Sequence, residues 1–316
     1  MKRPAAIGAI VWCGLCVTAI SNAVDRTWLD LVFLFAPLVI VPLGLHLTSC
    51  QDSAESIVGI ERLARILQFP AALLAAIAFF PPVGHQAAMF AGPWLFVCLL
   101  FAVSGLVRIF RGAYARLDRA CAPISFIYLA VGGAWLFASR LGWNPMGFEE
   151  PIVLLTAIHF HYAGFAAPLF ARSAARAIET RRRGVPYLFA RLVALGVLAG
   201  PGVLSLGFIL GPQVKLAAAL ILAASEIGLA IAFICALPQI GRISAGVLLT
   251  LSAASVGFSM VLAAVWAIGE YPLQPFVHLA EMEKFHGTAN AFGFTLCGLL
   301  GWSLASVNTK LRELQP

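Results

Sequence analysis

PIVLLTAIHFHYAGFAAPLF, residues 151–170, decides how the rest of this chain is to be read. The stretch holds no Lys, Arg, Asp or Glu, and about 20 apolar residues in a helix cross the hydrocarbon core of a bilayer. With no water there, backbone N–H and C=O groups must pair within the segment, which selects a helix over a strand. Three residues sit badly in such a run: His159, His161 and Tyr162. Polar groups at that depth are costly unless they are paired or face a cavity. The stretch therefore reads both as a membrane span and as part of a polar site.

The same pattern fills the chain. Hydrophobic residues make up 61% and charged residues 11%, with a mean hydropathy of +0.93, which excludes an ordinary soluble domain. Ten spans are expected, at about 5–22, 29–48, 63–80, 88–107, 120–139, 151–170, 186–210, 214–237, 243–267 and 285–306. The connections are short and marked by Pro81-Pro82, Gly211-Pro212 and Pro238. No long polar linker divides the chain, so the reading is one all-α, polytopic membrane domain over residues 1–316.

Basic residues orient it. With the N-terminus in the cytoplasm, only Arg26, Arg140, Lys215 and Lys284 fall outside. The other seventeen of the 21 Lys and Arg fall inside, among them Arg65, Arg108, Arg172, Arg176 and the run Arg181-Arg182-Arg183. That asymmetry puts both termini in the cytoplasm of a bacterial inner membrane. It also accounts for the net charge of +7 without nucleic acid. Met1-Lys2-Arg3, an apolar run and Ser21-Asn22-Ala23 have the form of a cleavable signal, which would leave nine spans. A retained first helix is the favoured reading. The seven cysteines offer no disulfide framework, and Cys13 and Cys16 lack the following His of a haem-attachment motif, Val17 standing there.

The polar groups at membrane depth are His159, His161, Tyr162, Glu226, His286 and Asn290. Residues two apart on an α-helix point about 200° away from each other, so His159 and His161 cannot clamp one metal from a regular helix. Either the helix is irregular, which Gly164 and Pro168 favour, or the two rings serve different neighbours. On an intact helix Tyr162 lies on the His159 side. His159 is expected about 12 Å and His161 about 15 Å from the outer end, with Glu226 near the midplane. His286 and Asn290 share a face at the outer start of the tenth span, together with Glu283, Gly293 and Cys297. Glu270, His278, Glu281 and Glu283 add outer charge. Ordered by depth, these groups suit a proton or cation path open to the outside. The competing reading is helix adhesion: a histidine or Asn290 bonding across an interface, and Glu226 pairing with Arg191.

Pro37 and Pro42 in the second span, and Gly200-Pro201-Gly202 in the seventh, predict broken helices. Interruptions at membrane depth line sites in carriers. In a five-plus-five arrangement these two spans would correspond, although no side-chain similarity supports a repeat.

HFHYAGF (His159–Phe165) followed by HGTANAFGF (His286–Phe294) resembles the YndJ-like family of bacterial multi-pass membrane proteins. The resemblance implies a many-span fold and marks His159, His161, Tyr162, Gly164, His286, Gly287 and Asn290 as characteristic positions. Longer members carry additional sequence beyond this core. It assigns no chemistry, although the family is usually spoken of in terms of transport. The leading expectation is a secondary transporter or ion-coupled carrier, since no nucleotide-binding motif is present. The alternative is a membrane metal or haem protein, redox or hydrolytic, using His159, His161 and His286; a non-catalytic subunit ranks third. The sequence names no catalytic residue, cofactor, substrate or oligomeric state, and the bilayer is the one partner it defines.

Overall fold

The computed structural model describes residues 2–21, 27–52, 59–179, 185–271, 274 and 276–313. Asn22, Ala23, Arg26 and the run Arg181 to Arg183 lie outside the described residues. All regular elements among the described residues are helical. Ten long helices follow one another: α1 (Lys2–Ile20), α2 (Trp28–Gln51), α3 (Gly59–Ile77), α4 (His85–Phe110) and α5 (Leu117–Leu141). Then come α6 (Ile152–Ile178), α7 (Val185–Leu210), α8 (Pro212–Ala236), α9 (Ile243–Glu270) and α10 (residues 279–313).

The ten expected spans fall on these ten helices, eight of which are long and apolar enough to cross a membrane by length and composition alone. The two others are α3, whose first turns carry Glu61, Arg62 and Arg65, and α10, which carries Glu283, Lys284, His286 and Asn290. One correction concerns the interruptions. The α7 helix runs on through Pro201. The break expected in the second span is present as a wide π turn at Ala36–Ile40 in α2, and the irregularity weighed for the sixth as one at Phe160–Gly164 in α6; α10 adds two more, at Met282–Gly287 and Ala289–Leu296.

By their contacts the helices form two compact units, where the sequence reads as one domain. The first comprises residues 1–115 and 122–166, the second residues 116–121 and 167–316.

The first unit is built around α2, in which every residue from Leu31 to Leu45 is buried. A helix buried on all sides must have its backbone satisfied by protein, and α2 has damaged its own ladder. Ala36 N–H turns to Phe33 O, and Pro37 has no N–H to offer. Val41 N–H reaches back to Ala36 O in the π turn, and Pro42 again has none. Side chains from other helices bond carbonyls along α2, two of them at positions the break leaves over. Tyr162 hydroxyl donates to Val32 O (2.7 Å) and Gln68 Nε2 to Pro37 O (2.8 Å). Trp12 Nε1 donates to Leu31 O (2.7 Å) and Arg65 to Leu45 O (2.7 Å). The α1 helix can lie close enough for the Trp12 bond because residue 8 is glycine: a Cβ there would meet Leu38 O at 1.9 Å.

One end of this unit holds a buried ion network. Glu61 is fully buried and accepts from Arg65 (2.6 Å), Ser104 Oγ (3.0 Å) and Arg108 (3.5 Å). Arg108 also donates to Asp52 (2.9 Å), and Arg65 to Thr48 and Ser49 hydroxyls. Arg65 and Arg108 therefore do more than the orientation signalling expected of them: they join α2, α3 and α4.

In the second unit, Phe170, Phe233, Phe294 and Trp302 pack edge-on and tilted with centroids 5.1 to 6.4 Å apart, joining α6, α8 and α10. The α9 and α10 helices touch where Gly293 meets Ser255, leaving no room for a Cβ, and Ser252 Oγ donates to Phe294 O (2.7 Å).

Removing one partner of a buried ion network strands the others' charge, at about 3–5 kcal/mol. Glu61→Gln is accordingly expected to lower the apparent melting temperature in detergent by several degrees, and Arg62→Gln, at an exposed neighbour, to leave it unchanged. Equal melting of the two variants would refute the network's structural role.

Candidate functional site

The six polar residues expected at membrane depth fall in both units. In the first, α6 widens into a π turn at Phe160–Gly164. Gly164 faces the Tyr128 side chain so closely that a Cβ would sit 2.8 Å from it, and Pro168 cannot donate to Gly164 O. His161 is fully buried. Trp94 Nε1–H donates to its Nε2 at 3.0 Å; an indole can only donate, so the imidazole proton sits on Nδ1. That proton goes to Ala157 O at 2.7 Å. Phe33 meets the ring edge-on at 5.1 Å. His161 is thus a neutral ring with both nitrogens engaged.

Tyr162, also buried, reaches α2 through the bond to Val32 O. It turns with His161 toward α2 and not with His159, a correction to the regular-helix expectation. The extra residue in the π turn changes the angle between successive side chains, so faces counted at 3.6 residues per turn no longer hold. His159 is exposed on the surface of the protein, and its Nδ1 bonds Leu155 O at 2.8 Å in its own helix.

In the second unit, His286 and Asn290 do share a face, and they close a ring of bonds with Ser259 of α9. His286 Nδ1–H donates to Ser259 O (2.9 Å), Asn290 Nδ2 donates to His286 Nε2 (3.1 Å), and Ser259 Oγ donates to Asn290 Oδ1 (3.0 Å). Ser259 was not legible as a partner, because a serine within a span commonly bonds its own helix. Of the carboxylates expected on the outer side, Glu270 pairs with Lys215 (2.8 Å) and Glu281 caps the first turn of α10 through His278 N–H (2.9 Å). Partial burial pushes the Glu283 carboxyl above its ordinary range.

Glu226 differs from all of these. It lies mid-way along α8 at 3% exposure, and neither carboxylate oxygen has a hydrogen-bond partner among the described residues. Arg191, a candidate partner for it in the helix-adhesion reading, is exposed and lies over the Tyr187 ring at 5.5 Å. Ser225 beside it donates to Ile221 O. Other buried polar atoms without a bond belong to neutral groups, such as Thr295 Oγ1 and Trp302 Nε1, or to arginines that hold other partners. Among the described residues no three His, Cys, Asp or Glu are grouped so as to hold a metal ion.

Helices of bilayer length, a fully buried central span and polar groups bonded between helices define a polytopic α-helical membrane protein. The sequence model of the YndJ-like protein family matches residues 31–294, and the chain belongs to that family. It is similar to the "Uncharacterized membrane protein YndJ" of Bacillus subtilis (strain 168), at 26% identity over 307 residues. The match covers 96% of this chain and 53% of the relative, so the chain spans about half the relative's length. No solved structure matches.

Tyr162→Phe deletes the donor to Val32 O and leaves a buried carbonyl unsatisfied, which costs about 1–3 kcal/mol. The variant is expected to melt several degrees lower in detergent, with His159→Ala changing stability by no more than about 0.5 kcal/mol, as at a surface position. The opposite order would show that the hydroxyl does not hold α6 to α2.

Proposed function

We propose that the protein is a secondary, ion-coupled carrier of the bacterial cytoplasmic membrane, with both ends of the chain inside and Glu226 as its coupling site. The observation that carries this reading is the Glu226 carboxyl, buried in a span with neither oxygen bonded. A carboxylate in that position is destabilising as structure and is functional by default. The π turns of α2, α6 and α10 add to it, since irregular backbone at membrane depth accompanies sites and moving segments. In this reading His161 and Tyr162 keep the interrupted α2 in place. His286 and Asn290 hold the outer start of α10 to α9 and mark the side of access. The metal or haem alternative has less support: His161 and His286 both have two engaged ring nitrogens, a ligand nitrogen must be free, and among the described residues no three His, Cys, Asp or Glu group around His159.

Reconstituted in liposomes, the full chain is expected to give a solute-evoked current or internal pH change with one of several pools (amino acids, sugars, organic cations, inorganic salts). Glu226→Gln is expected to abolish it. Silence with every pool, or full activity in Glu226→Gln, refutes the carrier.

Orientation is checked separately in a cysteine-free background. Asn144→Cys is expected to react with a membrane-impermeant maleimide in intact cells, and Tyr114→Cys only after permeabilisation. The reverse pattern would invert the topology.

A further inference from the structure

We infer that the ion Glu226 takes up is a proton and that no metal cation replaces it. This rests on the reading of Glu226 as the coupling site and narrows it to one ion.

The argument is one of ligands. A bare carboxylate withdrawn from water, with no donor on either oxygen among the described residues, carries a charge that no bond from them offsets. A proton cancels that charge through one covalent O–H bond and needs no second group. A metal cation needs several oxygens at once: six to eight for Ca²⁺ and six for Mg²⁺. Na⁺ sites in carriers draw theirs from unwound backbone carbonyls and helix ends. None of these is offered at Glu226. The α8 helix is regular from Pro212 to Ala236, so the carbonyls around residue 226 stay in its ladder. The hydroxyl of Ser225 is bonded to Ile221 O and pressed against Gly196.

Nor do the neighbouring helices bring a charge to it. The α7 helix carries Tyr187 and Arg191, which lie against each other. On the α9 side stand Arg242, bonded to Ser244, and Glu270, paired with Lys215 at the start of α8. The α6 helix meets α8 through Phe170 and Phe233; its Arg172 and Arg176 act on Asp118. The α10 helix, which meets α8 through Phe294 and Trp302, carries Glu283, Lys284, the doubly bonded His286 and Cys297. None of these hydrogen-bonds the Glu226 carboxyl, and no charged group acts on it among the described residues.

A hydrophobic carbodiimide tests this directly, because it reacts with a protonated carboxyl in apolar surroundings and not with a carboxylate bound to a metal ion. The full chain in liposomes is treated with dicyclohexylcarbodiimide over a pH series, and peptide mass spectrometry reads the adduct at residue 226. The expected result is an adduct that is lost as pH rises and is the same in sodium, potassium or calcium chloride at constant ionic strength. Glu226→Gln should lack it, although the profile of the unaltered chain decides alone. Protection by sodium or calcium at fixed pH overturns the proton assignment, and so does absence of the adduct at every pH. The readout does not depend on flux: pH-dependent labelling in a protein that moves no solute would refute the carrier and keep the proton site. Cation-protected labelling in a transporting protein would do the reverse.

Discussion

The first unit depends on the carbonyls of α2. A helix surrounded by protein at membrane depth has no water to complete its hydrogen bonds, and α2 has given up part of its own ladder to two prolines and a π turn. Gln68 and Tyr162 from other helices supply donors at the break, and Trp12 and Arg65 bond carbonyls on either side of it. Each of those side chains would itself be costly in lipid. The damaged helix and the polar side chains solve each other's problem, and the solution fixes α1, α3 and α6 around α2. The Gly8 contact and the Asp52–Glu61–Arg65–Arg108 network act within that arrangement.

The same economy of polar groups recurs in the second unit on a smaller scale. Ser259, His286 and Asn290 bond one another across α9 and α10, and the π turns of α10 let Phe294 O meet Ser252 while Gly293 closes on Ser255. Against this background the unbonded carboxyl of Glu226 stands apart. Helix adhesion accounts for His161, Tyr162, His286 and Asn290, because each has a partner on a second helix. It does not account for Glu226. A functional reading therefore concentrates on one residue, where depth alone had suggested a path through six.

Family membership fits this division. HFHYAGF and HGTANAFGF fall on the π segments of α6 and α10, which carry inter-helix bonds of those helices. Their polar residues make contacts on which each unit's packing relies. Glu226 lies between the two motifs in sequence and belongs to neither, so a reading built on the motifs gives it no special weight.

The sequence by itself determined the class of protein and the residues worth watching. A long run without charge has one stable form in lipid, and a polar residue inside it announces itself by composition. The ten helices were legible for that reason. Two of them, α3 and α10, are less apolar than the rest because charges in α3 and polar groups in α10 dilute the apolar run. Tertiary structure alone decided which polar residues are satisfied. The donor to His161 lies 67 positions away and the acceptor of Tyr162 130 positions away, and the π turn that aims both is a product of packing that 3.6-residue periodicity does not reveal. That neither Glu226 oxygen has a hydrogen-bond partner among the described residues is likewise a property of its surroundings and not of its position in the sequence.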